Sequence, residues 1–127
     1  VTHLVFVYGS LLSGEHNHGL LGGATFRGIA STWPHFRLYD LGSFPGVVEH
    51  HKGRVIVGEV YEVDDATLAR LDRLEGHPRM YERRTVACVG PGLRVHKAWL
   101  YVYKGRVLEQ DEVRSGNWQL HRMERDR

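Results

Sequence analysis

Hydrophobic and polar residues alternate or cluster along this chain in short runs, and the runs predict mostly strands. Leu4-Val5-Phe6-Val7-Tyr8 is a β-branched and aromatic run stopped by Gly9, the pattern of a buried strand. Phe26 to Ile29 and Phe36 to Leu41 are further strand material, interrupted by Trp33-Pro34. Phe44-Pro45-Gly46-Val47-Val48 carries turn chemistry at Pro-Gly and then enters a short strand. From Arg54 to Val63 both alternating sets are largely apolar, which predicts a strand covered on two sides or wrapped in a barrel. Tyr81 to Val89 and Val95 to Tyr103 flank Gly90-Pro91-Gly92 and predict a hairpin. The stretch from Gly9 to Gly23 reads as a loop with a helical turn, and the chain from about residue 119 as a polar tail.

One segment has helical spacing. Asp64 or Asp65 supplies an N-cap, Gly76 a left-handed stop, and Leu68, Leu71 and Leu74 mark one face between them. His77-Pro78 then forbids continuation. Strands with one helix in their midst predict an α+β fold, a small mixed sheet curled into a barrel, and not the βαβ alternation of a doubly wound sheet. No internal repeat or low-complexity stretch divides the chain, so residues 1–127 are read as one domain.

Composition narrows the partners. Seventeen basic residues are interleaved with 15 acidic ones for a net charge of +2, with clustering only from Arg122 to Arg127, so no electrostatic footprint for nucleic acid or a membrane surface is present. The apolar run Leu4–Tyr8 is far too short to span a bilayer, and Val1-Thr2-His3 lacks a signal peptide's basic region. The single cysteine, Cys88, rules out an intramolecular disulfide and fits a reducing, cytoplasmic setting. Nothing in the sequence specifies an oligomeric state.

Two features carry candidate chemistry. At about 100° per residue Glu75 lies only about 20° around the helix from Leu68 and about 40° from Leu71, so it points with the leucines toward the sheet. Burial disfavours the charged form of a carboxyl unless a cation compensates. Helical geometry alone favours a structural ion pair with Arg83 or Arg84, or a last-turn side chain turned to water. Asp72, nearer the edge of the stripe, favours such a structural role more strongly. The second feature is Tyr8-Gly9-Ser10-Leu11, where the chain turns directly after a strand and successive N–H groups can converge on an anion. It is not a Walker loop or a dinucleotide fingerprint. His16 and His18 with Glu15, and His50-His51, lack metal-ligand spacing and read as solvated loop histidines. Cys88 lies in strand-like sequence and reads as core, and Trp33 and Trp118 read as packing residues rather than an interaction surface.

Taken in order, these pieces resemble the γ-glutamylcyclotransferase-like family, especially its γ-glutamylamine cyclotransferase and AIG2-like branch. The residues that carry the resemblance are Val5 to Leu11, Gly14 and Asn17, Gly58 to Val63, Leu71-Asp72-Arg73-Leu74-Glu75 followed by Pro78, Tyr81 and Arg83, then Tyr101 to Tyr103 and Ser115 to Trp118. Ser10 stands where many relatives of this branch carry threonine, and the hydroxyl is retained. The resemblance implies a small mixed β-barrel with one main helix and short flanking helices. It also implies a reaction without metal or cofactor, in which the α-amine of a γ-glutamyl amide attacks its own γ-carbonyl to give 5-oxoproline and a free amine. Under it Glu75 becomes the catalytic acid/base, the N–H groups of Gly9, Ser10 and Leu11 grip the substrate, and Tyr8 and Tyr81 form the pocket wall. Arg37, His77 and Arg79 are candidates for the side where the amine leaves. The competing reading is a binding module for a small anionic metabolite, with no turnover.

Overall fold

The computed structural model describes residues 1–127. Seven strands, β1 (Thr2–Val7), β2 (Thr25–Thr32), β3 (Phe36–Asp40), β4 (Pro45–Glu49), β5 (Val57–Asp64), β6 (Tyr81–Val89) and β7 (Val95–Tyr103), are joined by helix α1 (Asp65–Glu75) and followed by α2 (Trp118–Arg125). The sheet order is β1-β5-β2-β6-β7-β4-β3, and a parallel pairing of Val5 with Trp99 joins β1 to β7. Five strands therefore close into a barrel, with β4 and β3 added outside it, an α+β fold. β6 covers one edge of β7 along its whole length. β1 and β4 share the other edge, β1 at Trp99 and β4 at Val102, and they diverge between those two points.

Period-2 alternation explains the two apolar layers. Phe6 and Tyr8 of the first segment pack with Val60, Leu100 and Val102 in one cluster. Their neighbours Val5 and Val7 pack with Tyr61, Val63, Tyr101 and the helix residues Leu68 and Leu71 in another. β5 is hydrogen-bonded along its two edges to β1 and β2, and its faces pack into different clusters, Val60 in the first and Tyr61 and Val63 in the second, as its doubly apolar pattern predicts.

Helix α1 is terminated as its sequence dictates. The Asp64 carboxylate accepts from Thr67 N–H at 2.7 Å, and Gly76, at φ +64°, ends the helix in the left-handed conformation. One expectation is corrected. Pro45-Gly46 is not a turn but the start of β4, paired with Asp40 and Tyr39. The turn comes earlier, with Leu41 N–H donating to Phe44 C=O at 3.0 Å and Gly42 at φ +107°. A first strand position suits proline because no ladder N–H is needed there. The polar tail is largely helical, for Asn117 caps α2 by accepting from Leu120 N–H and Trp118 is 1% exposed. No helix is long and apolar enough to cross a membrane.

Candidate functional site

Where β1 ends and β1 and β4 part along β7, the structure leaves a cavity of about 180 Å³. Its lining includes Tyr8, Gly9, Ser10, Leu11, Glu75 and Tyr81, the six residues that the family resemblance placed in the catalytic and substrate-binding roles. Arg37, His77 and Arg79 do not line it. Arg37 instead donates to the Lys52 carbonyl, and the His77 ring accepts from Arg83 N–H. Pro45, Phe44 and Met80, which were given no site role from the sequence, also line it, as does Tyr101. Their only sequence signal was position beside turns or in strands.

Three tyrosines frame the cavity. Tyr8 donates its hydroxyl hydrogen to the Tyr101 carbonyl at 2.7 Å and accepts from Val47 N–H at 3.2 Å, so one phenol ties β4 to β7. Tyr81, at the start of β6, donates to the Pro45 carbonyl at 2.7 Å and ties β6 to β4. Tyr101 donates to Asp72 at 2.7 Å. Burial raises the Tyr8 hydroxyl well above its ordinary value, and the neighbouring Tyr81 and Glu75 add to the effect. Burial likewise raises Tyr81, with Glu75 and Tyr103 contributing. Both phenols therefore stay neutral and act as donors.

The turn after β1 is fixed by its own backbone. Leu12 N–H donates to Gly9 C=O at 3.0 Å, closing a four-residue turn, while the N–H groups of Gly9, Ser10 and Leu11 donate to no acceptor within the protein. Asn17 holds this turn twice, its N–H donating to Ser10 C=O and its side-chain amide to Ser10 Oγ, both at 3.0 Å. Ser10 accepts that bond and so keeps its own hydroxyl hydrogen for another partner. Gly9 is not needed for a positive φ. A Cβ there would lie 2.7 and 2.9 Å from the Pro45 ring, so glycine is required by the close approach of β4.

Glu75 lies at the last turn of α1, partly buried. Desolvation raises its carboxyl from 4.5 to about 7, and no cation offsets the effect. The ion pairs considered from sequence form elsewhere. Arg83 is bound by Asp72, and Arg84 pairs with Glu49 and Glu82. The cavity lining contains no lysine or arginine; its polar groups apart from the tyrosines are Ser10, His16, Asn17 and Glu75 with the free N–H groups of the turn. His16 lies at its exposed mouth. No group of three His, Cys, Asp or Glu side chains has an arrangement to hold a metal. His18 is held to the Leu11 carbonyl, and His50 and His51 stack on each other. Cys88 is fully buried with its thiol pushed up to about 11, in keeping with a core residue.

A closed barrel with one partly buried carboxyl and a turn of unspent N–H groups lining the same cavity has the form of a small-molecule pocket. The family described as Gamma-glutamyl cyclotransferase, AIG2-like, matches residues 5–120. A Vibrio cholerae protein named "Putative gamma-glutamylcyclotransferase" is 43% identical over 116 residues, covering 91% of this chain and 95% of that protein. The gamma-glutamylaminecyclotransferase of Rattus norvegicus is 41% identical over 87 residues, 62% of this chain and 58% of that protein. The crystal structure of a mouse AIG2-like protein superposes with a TM-score of 0.77 at 31% identity, covering 85% of this chain and 81% of that one. The chain belongs to the AIG2-like gamma-glutamyl cyclotransferase family.

Proposed function

We propose that this protein cyclises a γ-glutamyl amide, releasing 5-oxoproline and the free amine. The observation that carries the reading is Glu75, a carboxyl with no counter-cation, facing the same cavity as the unpaired N–H groups of the turn after β1. The α-ammonium of the substrate must lose a proton before it is a nucleophile, and the proton must reach the nitrogen that leaves. A carboxyl near 7 is divided between its two forms at neutral pH and serves in both steps.

Ionised Glu75 takes a proton from the α-ammonium, and the neutral amine closes on the γ-carbonyl, forming the ring C–N bond and a tetrahedral oxyanion. The carboxyl then gives its proton to the departing nitrogen as the amide C–N bond breaks, and the second proton of the ring nitrogen passes to the carboxylate and on to the released amine, which leaves as its ammonium and returns Glu75 to the ionised form. No water is consumed. The N–H groups of Gly9, Ser10 and Leu11 with the Ser10 hydroxyl hold the substrate carboxylate or the oxyanion. The neutral phenols of Tyr8 and Tyr81 form the wall that keeps the chain bent. Because the attack is intramolecular, that bent conformation supplies much of the rate, with effective molarities of well-oriented reactions reaching ~10⁵–10⁸ M.

Incubation with γ-glutamyl-ε-lysine and simple γ-glutamyl amines, followed by mass-spectrometric detection of 5-oxoproline, tests the reading. Release of 5-oxoproline with one equivalent of amine is the expected result. Saturable binding without product would leave a metabolite-binding module in its place.

A further inference from the structure

Leu74 is where helical spacing and tertiary structure part company. The spacing groups it with Leu68 and Leu71 on the buried face, and those two are 7% and 0% exposed, yet Leu74 is 39% exposed. It lines the cavity beside Glu75, and Met80, 43% exposed, lines it from the other side of the turn that follows α1. That turn is firmly held. The N–H groups of Arg79 and Met80 both donate to Gly76 C=O, at 2.8 and 3.0 Å, and Lys104 N–H donates to Met80 C=O at 2.9 Å. The backbone under Met80 is thus fixed while its unbranched side chain stays adaptable. Phe44, partly buried, contributes a third apolar lining group.

The deep part of the cavity holds the buried tyrosines, Gly9 and Leu11, while Leu74 and Met80 stand at the exposed rim. A substrate whose glutamyl head reaches the N–H groups of the turn must direct its amine half past that rim. Two wet apolar side chains there gain by being covered, and an alkyl stem would cover them.

We propose that Leu74 and Met80 are specificity-determining residues that receive an unbranched alkyl or arylalkyl stem on the amine half of a γ-glutamyl amide. The proposal rests on the cyclotransferase reading above and adds the chemical class of the leaving amine. A fully buried methylene is worth about fourfold in affinity, so a half-open rim gives about twofold per methylene in kcat/KM.

The test measures kcat/KM, by 5-oxoproline release, for the γ-glutamyl derivatives of methylamine, n-propylamine and n-pentylamine. The wild-type protein is expected to improve steadily along the series. In Leu74→Ser and Met80→Ser the ratio of pentylamide to methylamide is expected to fall about fivefold or more. The exposure of both side chains makes these variants compatible with folding, which a thermal melt checks. If 5-oxoproline forms but the wild-type series is flat, or the variants slow every amide alike, the specificity assignment fails while the cyclotransferase reading stands. If no amide yields 5-oxoproline, both fail together.

Discussion

Asp72 grips Arg83 through two hydrogen bonds, at 2.7 Å to Nε and 3.1 Å to a terminal nitrogen, one turn of α1 before Glu75. The same carboxylate accepts from Tyr101, and the Arg83 guanidinium lies 4.4 Å from the centre of the Trp99 ring. The nearby guanidinium is thereby committed, and Glu75 is left with a raised pKa. Burial opposes the Asp72 charge, but Arg83 and the Tyr101 hydroxyl more than offset it and hold the carboxyl below its ordinary value. That stability is present above the unfolded value of 3.8 and is lost as pH falls through the lower folded one. Asp72→Ala strands a half-buried guanidinium and is expected to cost about 2–3 kcal/mol, reduced from the fully buried case by partial exposure and measurable by urea unfolding at pH 7.

Glu75→Gln keeps the shape of the side chain and removes its titration. Activity in the 5-oxoproline assay is expected to fall by on the order of 10²–10⁴-fold with the far-ultraviolet dichroism unchanged. A variant with near-normal turnover would remove Glu75 from the mechanism.

The raised carboxyl also links stability to pH. Between 4.5 and about 7 the folded chain binds more protons than the unfolded one, so stability falls as pH rises through that window. Glu75→Gln escapes this penalty. It is expected to be more stable than wild type at pH 8, by on the order of 1–3 kcal/mol after allowance for partial exposure, and equal to it near pH 4. In the wild type kcat/KM is expected to rise with pH through about 7 as the base ionises. Thermal melts at the two pH values and a pH–rate profile check both halves.

Tyr8→Phe deletes the phenol that ties β4 to β7. Loss of the bonds to the Tyr101 carbonyl and from Val47 N–H is expected to cost about 1–3 kcal/mol. Because these bonds set the cavity wall, kcat/KM is expected to fall as well, read in the same assay.

Arg122 on α2 binds Glu15 through two hydrogen bonds, at 2.8 and 2.7 Å, and Gln119 donates to the Ser13 carbonyl at 2.8 Å. The C-terminal helix therefore braces the loop that carries Ser10 and Asn17. Arg122→Ala is expected to loosen that loop, raising KM by about two- to tenfold with a smaller effect on kcat, in steady-state assays.

Local sequence determined the strands, the caps of α1 and the face on which Glu75 lies, because each follows from spacing or from residues within a few positions of one another. The N-cap Asp64, the stop at Gly76 and the doubly apolar β5 needed no distant partner to be legible. Only the tertiary structure decided what surrounds Glu75. Residues more than thirty positions apart, Tyr8 with Val47 and Tyr81 with Pro45, enclose the cavity when β4 meets β7. The pairing of Arg83 with Asp72 rather than Glu75, the placing of Leu74 at an open rim and the docking of Trp118 depend on the same long-range arrangement. Periodicity reports which face of an element is apolar. It does not report which other element arrives to cover it, and here barrel closure made that choice.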